Sequence, residues 1–305
     1  MQQVSVLAPA TVSNVVCGFD CLGFALEKPF DELTVRKISE RTVRIINNDD
    51  YGLPTEPIKN VIGVTLLAML ARIDPDFGFE VETVKYIKPG SGIGSSSASS
   101  CGAAVAANRI LGDRFSKLEL VNFAMEGEKL ASGEKHADNV APCIFGGFTL
   151  VRSIDPLDIV SLDFPPLFAA VIHPQIEIKT SEARAILPKE VPLKTAIRQW
   201  GNLASLVAGL AQGDYALISR SMEDFIVEPV RKALIPRFDE LKSASLAAGS
   251  LGGGISGSGP SVFMLSETQA IAAQIEESMR SVYVQTGIKF NTYVSAIEPD
   301  GVSFV

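Results

Sequence analysis

Pro89-Gly90-Ser91-Gly92-Ile93-Gly94-Ser95-Ser96-Ser97-Ala98-Ser99 decides how this chain is read, because of what stands on either side of it. Before it, Phe79–Ile87 alternates apolar and polar residues and reads as a strand ending at Lys88-Pro89. After it, Ala98–Leu111 is alanine-rich and reads as a helix. Glycines at 90, 92 and 94 admit backbone conformations closed to other residues and let the main chain approach a ligand closely. The helix behind them turns its free N–H groups and positive dipole end on the same spot, which makes an anion site. The basic residues close by are Lys85 and Lys88, so a phosphate bound here is held largely by backbone amides. The run is not a Walker A loop, because no Gly-Lys-Ser/Thr closes it, and it misses G-x-G-x-x-G because position 95 is Ser95. A flexible linker is the plain alternative, but a linker is not expected between a strand and a helix.

Working outward, 305 residues suggest two domains or one large one, with ample length for a buried core. Lys plus Arg number 27 against 35 Asp plus Glu, and the net charge of −8 leaves no excess of cations for a nucleic-acid partner. The balance of 47% hydrophobic and 20% charged residues is that of an ordinary globular protein and not of a disordered chain. Of 25 glycines, four fall in 90–102 and six in 249–259, so the glycines mark two short segments. Cys17, Cys21, Cys101 and Cys143 are too few and too scattered for a disulfide framework, and no second Cys/His pair completes a zinc site with Cys17 and Cys21. The opening MQQVSVLAPATVSN lacks the basic and apolar regions of a signal peptide, and Val61–Ala71 is too short to span a bilayer. No membrane partner and a cytoplasmic location are therefore expected.

Along the chain, Val4–Leu7 reads as a strand entering a loop at Ala8–Asn14. Leu33–Ile38 and Thr42–Ile46 are β-branched and alternating, and are expected to pair with each other. Asn60–Ile73 has helical spacing, and Ser116 with Glu119 forms a capping box that opens a helix to about Ala131. Ser153–Pro166, rich in Pro and Asp, marks the expected boundary between domains at 1–160 and 161–305. Beyond it the expected elements are a strand at Phe168–His173, helices at Thr195–Ala211, Tyr215–Phe225 and Arg237–Ala248, and a strand at Ser261–Leu265. A helix over Glu267–Val284 and a strand over Phe290–Ile297 close the chain. The second half is a βα mixture consistent with an antiparallel sheet covered by helices.

Three stretches, in order, resemble the three motifs of the GHMP kinases. Ala8-Pro-Ala-Thr-Val-Ser-Asn14 with Gly18-Phe19-Asp20-Cys-Leu-Gly23 is similar to the first motif, in the variant found in the homoserine kinase branch. The run at 89–99 resembles the second, and Gly252-Gly-Gly-Ile-Ser-Gly-Ser-Gly-Pro260 the third. Together they span nearly the whole chain. The resemblance implies an α+β, two-domain GHMP kinase fold. Its N-terminal nucleotide-binding domain would be like domain 2 of ribosomal protein S5, and its C-terminal domain a ferredoxin-like α/β sandwich. It further implies ATP as phosphoryl donor, Mg2+, an L-homoserine hydroxyl as acceptor on the way to threonine, and a homodimer by analogy.

Phosphoryl transfer needs a phosphate cradle, a divalent ion on the phosphates and a positioned acceptor hydroxyl. The cradle is Lys88, Pro89, Gly90, Ser91, Gly92, Ile93, Gly94, Ser95, Ser96, Ser97 and Ala98. Glu128 stands out on spacing alone: Val121, Ala124, Met125 and Glu128 share one helix face, which puts a carboxylate on the apolar side. Such an acid needs a cation or a metal; a salt bridge to a core Lys or Arg is the plain alternative. The resemblance assigns Glu128 and Ser96 to magnesium. It aligns Asn139, in Glu134-Lys-His136-Ala-Asp-Asn139, with the position where mevalonate kinases and galactokinases carry a catalytic Asp. An amide cannot accept a proton as a carboxylate does, so Asn139 would orient the acceptor and not deprotonate it. Asp138 is adjacent, is expected to point elsewhere, and stays a minor candidate. His136, one of two histidines, reads from the sequence alone first as a structural histidine.

Also by resemblance, Arg184 and Arg231 would clamp the carboxylate of an amino-acid acceptor, a task suited to a planar guanidinium fork. Read blind, both are solvated surface residues. Asn14, Asp20, His136 and Gly257 complete the acceptor site, Thr180 is placed toward the phosphates, and Asn60 against adenine, where its plain reading is a helix N-cap. The second glycine run would support the first; read blind, it is a floppy hairpin. Two alternatives stand beside this reading: another GHMP small-molecule kinase with a mevalonate-like or diphosphocytidyl-methylerythritol-like acceptor, and a non-catalytic GHMP-fold regulator.

Overall fold

The computed structural model describes residues 2–305. Its first half runs β1 (Gln3–Ser13), β2 (Leu22–Ile38), β3 (Val43–Asn47), α1 (Val61–Ile73), β4 (Gly78–Val84), α2 (Ser95–Ile110), α3 (Lys117–Ser132), α4 (Val140–Phe145), β5 (Phe148–Ile154) and β6 (Leu157–Leu162). Then follow β7 (Phe168–Pro174), α5 (Thr180–Ala185), α6 (Leu193–Gln212), α7 (Tyr215–Ser221), α8 (Glu228–Arg231) and α9 (Phe238–Ala247). The chain closes through β8 (Gly252–Ile255), β9 (Val262–Ser266), α10 (Gln269–Val284), β10 (Phe290–Ala296) and β11 (Ser303–Phe304).

Two sheets result. The seven-stranded sheet has the order β11-β1-β2-β4-β3, with β5 on β2 and β6 on β5. The four-stranded sheet, β10-β7-β9-β8, is antiparallel throughout. Helices α1, α2 and α3 pack together, α2 lying on β1 and β2, while α9 and α10 cover the second sheet. Alternation along β7 sorts its residues between two cores. Ala169 and Val171 join the large core with Leu22, Phe24 and Leu206, whereas Ala170 and Ile172 face Leu241, Ile275 and Met279. Both faces of the second sheet are therefore buried, which explains the unbroken apolar run of β7.

Several elements differ from the sequence expectation. Leu33–Ile38 and Thr42–Ile46 do not pair with each other. Strand β4 lies between them, antiparallel to β2 and parallel to β3, because α1 is the crossover from β3 to β4. The expected loop at Ala8–Asn14 is mostly strand, since β1 keeps pairing with β2 as far as Ser13↔Gly23 after a register shift between Pro9 and Thr11. Proline lacks an N–H for the ladder, so the shift falls where it costs least. Helix α2 starts at Ser95 instead of Ala98, and Gly252–Ile255 of the second glycine run is strand β8. The capping box at Ser116 and Glu119 is present as expected.

Candidate active site

One cavity of about 340 Å³ lies where β1, the 85–99 segment, α3, the 136–139 segment, α5, Arg231 and the 257–258 turn meet. Its size suits a small-molecule site. At one end, Gly90, Gly92 and Gly94 have φ of +74°, +80° and +71°, and Gly94 is the N-cap of α2. Ser95, Ser96 and Ser97 open the helix, so their amides have no partner within it and point outward with its positive end. The loop is pinned from two sides. The Thr11 N–H donates to the Ile93 carbonyl at 3.2 Å. Ser256 and Ser261 hydroxyls donate to the carbonyls of Gly92 and Ser91 at 2.7 and 2.6 Å. At Gly92 a Cβ would sit 2.5 Å from the Gly259 carbonyl oxygen, so the two glycine runs touch backbone to backbone.

Glu128 reaches the cavity from α3 and is only 7% exposed. Burial pushes its carboxyl above the usual carboxylate range. Glu128 Oε1 and Ser97 Oγ are buried without a hydrogen-bond partner, and no salt bridge involves Glu128 among the described residues. The plain alternative, a core ion pair, is thereby set aside. A lone buried carboxylate beside a serine hydroxyl is an oxygen-only donor set, which fits a small hard cation that keeps phosphate and water ligands.

The other end is charged. Arg184 grips Asp20 with two guanidinium nitrogens, at 2.9 and 3.1 Å, and its Nη2 lies 3.3 Å from His136 Nε2. Arg231 is buried and donates to the Ala183 and Gly257 carbonyls at 3.0 and 3.2 Å. Burial first, and the charge of Arg184 second, pull its pKa down. Phe19 packs against both guanidiniums, its ring centre 5.5 Å from Arg184 and 5.0 Å from Arg231. The loop that presents Phe19 and Asp20 is strained: Asn14, Val16 and Asp20 all have positive φ. Asn14 holds it, accepting from the Asp20 N–H at 3.0 Å and donating to the Gly257 carbonyl at 2.6 Å. Asn139 is pinned by β1, its Oδ1 accepting from the Thr11 hydroxyl at 2.8 Å and its Nδ2 donating to Ser13 Oγ at 2.9 Å.

The structure thus brings Asn14, Asp20, Ser96, Glu128, His136, Asn139, Arg184, Arg231 and Gly257 to one cavity, together with Pro89, Gly90, Ser91, Gly92, Gly94 and Ser95. Other expectations need correction. Asn60 does not line it; its amide caps α1, accepting from the Ile62 N–H and donating to the Pro54 carbonyl. Lys88 turns away and donates to Gln175 Oε1 at 2.6 Å. The side chains of Ile93, Ser97 and Ala98 are buried behind the loop, which leaves Ser97 only its amide to offer, and the Ala98 amide is already used on the Gly94 carbonyl. The lysine in the cavity wall is Lys85, three residues earlier. Asp138, a minor candidate expected to point elsewhere, also lines the cavity, its backbone packed against Gly23. Burial first, then the negative charge of Asp20, pushes its carboxyl up to about 6. Lys85 was findable: with Phe79, Val81, Thr83 and Ile87 it falls on the buried phase of its strand.

Residues 60–147 match the model of the GHMP kinases N terminal domain, and residues 206–285 that of the GHMP kinases C terminal domain. A homoserine kinase of Chloroherpeton thalassium is 46% identical over 93% of this chain and 93% of its own. A homoserine kinase of Pyrococcus furiosus is 38% identical over 96% of this chain and 98% of its own. A crystal structure of homoserine kinase from Cytophaga hutchinsonii superposes with a TM-score of 0.96 at 48% identity, covering 100% of this chain and 98% of that one. A Leishmania major mevalonate kinase, at 13% identity and a TM-score of 0.73 over 97% and 96% of the two chains, shares the fold. With both domain models matched and relatives this close along its length, the chain belongs to the homoserine kinases of the GHMP kinase superfamily.

Proposed function

We propose that this chain is an ATP-dependent kinase that phosphorylates the side-chain hydroxyl of L-homoserine, yielding ADP and O-phospho-L-homoserine for threonine synthesis. The observation that carries the reading is a single cavity with an amide-lined cradle and Glu128 at one end, and at the other the guanidiniums of Arg184 and Arg231 with the Asp20 carboxylate. That polarity suits a donor of phosphate and an acceptor bearing both an anionic and a cationic group.

The cradle amides at Ser95–Ser97 and the glycine loop hold the phosphates, much as other helix N-termini do. Arg184 and Arg231 take the acceptor carboxylate, while Asp20 and Asn14 face its ammonium. The acceptor oxygen bonds to the γ-phosphorus as the bond to the β,γ-bridging oxygen breaks, and the hydroxyl proton ends in solvent. Asn139, held by Thr11 and Ser13, aligns that oxygen and cannot take its proton. Glu128 and Ser96 are the residues that would hold Mg2+, which when bound neutralises charge on the phosphates.

The change of sheet between Leu162 and Phe168 supports domains at 1–160 and 161–305, with β11 returning to the first sheet. The half-exposed Ile197 and Trp200 on α6 support a homodimer, tested by light scattering of the purified chain. A cytoplasmic location accords with four free cysteines and with no helix, among the described residues, long and apolar enough to cross a membrane.

Release of ADP, measured with L-homoserine, mevalonate and galactose at equal concentration, with and without magnesium, tests the function. The expected result is magnesium-dependent turnover with homoserine alone. Turnover with mevalonate in place of homoserine overturns the acceptor, and no turnover with any of them favours a binding protein.

A further inference from the structure

Asp31 on β2 and Lys85, just past β4, form an ion pair that the phosphoryl transfer above does not use. Their side chains are 0% and 2% exposed, the most deeply buried ion pair among the described residues. Burying two charges is costly, and a well-packed apolar pair of the same size would often serve stability as well or better. The cost is met only when every remaining donor and acceptor is satisfied.

The partners that satisfy this pair all lie at the two ends of the phosphate loop. Asp31 Oδ1 accepts from the Tyr86 and Ile87 N–H groups at 2.8 and 2.9 Å, and its Oδ2 accepts from Lys85. Lys85 Nζ also donates to the Ser95 carbonyl at 3.2 Å and to Ser99 Oγ at 2.7 Å. The Ser95 hydroxyl closes the ring by donating to the Ile87 carbonyl at 2.8 Å. An ammonium has three N–H donors, and all three are taken. Residues 85–87 enter the loop and residues 95–99 leave it as the first turn of α2. Both ends are thus tied to one carboxylate of a neighbouring strand.

We propose that Asp31 and Lys85 are positioning residues that clamp the two ends of the phosphate loop, so aiming the first-turn amides of α2 at the nucleotide, without themselves touching it. The clamp rests on the nucleotide half of the reading above and is independent of the acceptor. Its loss should weaken nucleotide binding and leave acceptor binding alone, because Asp20, Arg184 and Arg231 hang from other elements.

The test uses the full-length enzyme carrying Lys85→Met, Asp31→Asn, the double change, and Ser99→Ala. ADP affinity is measured by calorimetry without acceptor, and KM for ATP and for homoserine by steady-state kinetics. Lys85→Met and Asp31→Asn are expected to raise the ADP Kd and the KM for ATP about tenfold or more, with KM for homoserine within about twofold at saturating ATP. Ser99→Ala removes one of the three acceptors of Lys85, so it should fold normally and raise the ADP Kd about threefold. The double variant leaves no unpaired buried charge, so it should recover thermal stability but not ADP affinity. Unchanged ADP affinity in Ser99→Ala and in the double variant, with only Tm lowered, overturns the proposal; so does an equal rise in both KM values. If homoserine proves not to be the acceptor, the calorimetry still decides the clamp.

Discussion

The two glycine runs look alike in sequence and behave differently in the fold. In the first, Gly90, Gly92 and Gly94 take left-handed conformations, and the chain turns sharply into α2 with its amides bare. In the second, Gly253 and Gly254 lie in β8, paired with β9 as ordinary strand. Here glycine serves close packing: a Cβ at Gly253 would stand 2.0 Å from the Phe263 carbonyl oxygen. The first run is open to a ligand and the second is pressed against its back, with Ser256, Gly259 and Ser261 bracing residues 91 and 92. Glycine density therefore marks two needs, freedom of φ and absence of a side chain, and some positions meet both: Gly257 and Gly259 of the second run also take positive φ, and Gly92 and Gly94 of the first also leave no room for a Cβ.

The largest effect that could break this contrast is at Glu128, which faces the first run. Glu128→Ala is expected to lower kcat about 10³-fold or more while ADP still binds within about fivefold, read by kinetics and calorimetry. A fall of less than tenfold would remove the metal role from this carboxylate. Next come the glycines themselves. Gly92→Ala and Gly253→Ala should each cost about 3 kcal/mol in urea unfolding, because each Cβ meets backbone. They should differ in function: Gly92→Ala raises the KM for ATP, whereas folded Gly253→Ala leaves it near wild type. Gly90→Ala, with a similar φ and nothing within 4 Å, should cost only about 1 kcal/mol.

The third lies at the proposed acceptor end, where Gly257 and Ser258 of the second run line the cavity. Arg184→Leu should raise KM for homoserine about 50-fold, with KM for ATP unchanged, because one fork of the proposed carboxylate clamp is lost. The smallest effect concerns Asp138. Its carboxyl, pushed up to about 6 by burial and then by Asp20, lies above the unfolded value. Its stabilising contribution is thus complete below about pH 4 and lost as pH rises through about 6. Asp138→Asn should gain about 1–2 kcal/mol relative to wild type between pH 4 and pH 8. A stability difference that stays flat with pH contradicts it.

Much of the site was legible because charge on the wrong face is visible in a pattern. Glu128 falls on the apolar stripe of α3, and the same logic applies to Lys85 and Asp31, each on the buried phase of its strand. Asn60 and Lys88 misled for the same reason as each other. Proximity along the chain to a binding loop does not say which way a side chain turns, and local hydrogen bonds to Pro54 and Gln175 claimed both. Asp138 ranks only as a minor candidate when directions are counted along a regular helix or strand. The segment is a turn, and its packing against Gly23 decides the orientation.

Local order was determined by the sequence alone: the strand, glycine loop and helix of 79–111, the capping box at Ser116, and the carboxylate of Glu128 on an apolar face. These depend on backbone preferences and periodicity, which act within a few residues. Strand partnership and the meeting of residues 14–20, 128–139, 184 and 231 were decided only in three dimensions. The insertion of β4 between β2 and β3, the burial of both faces of the second sheet, and the contact of Gly92 with Gly259 arise from packing between segments far apart in the chain, Phe24 and Phe263 being 239 positions apart. No local propensity encodes such contacts. They are selected because together they bury the apolar faces that each element leaves exposed on its own.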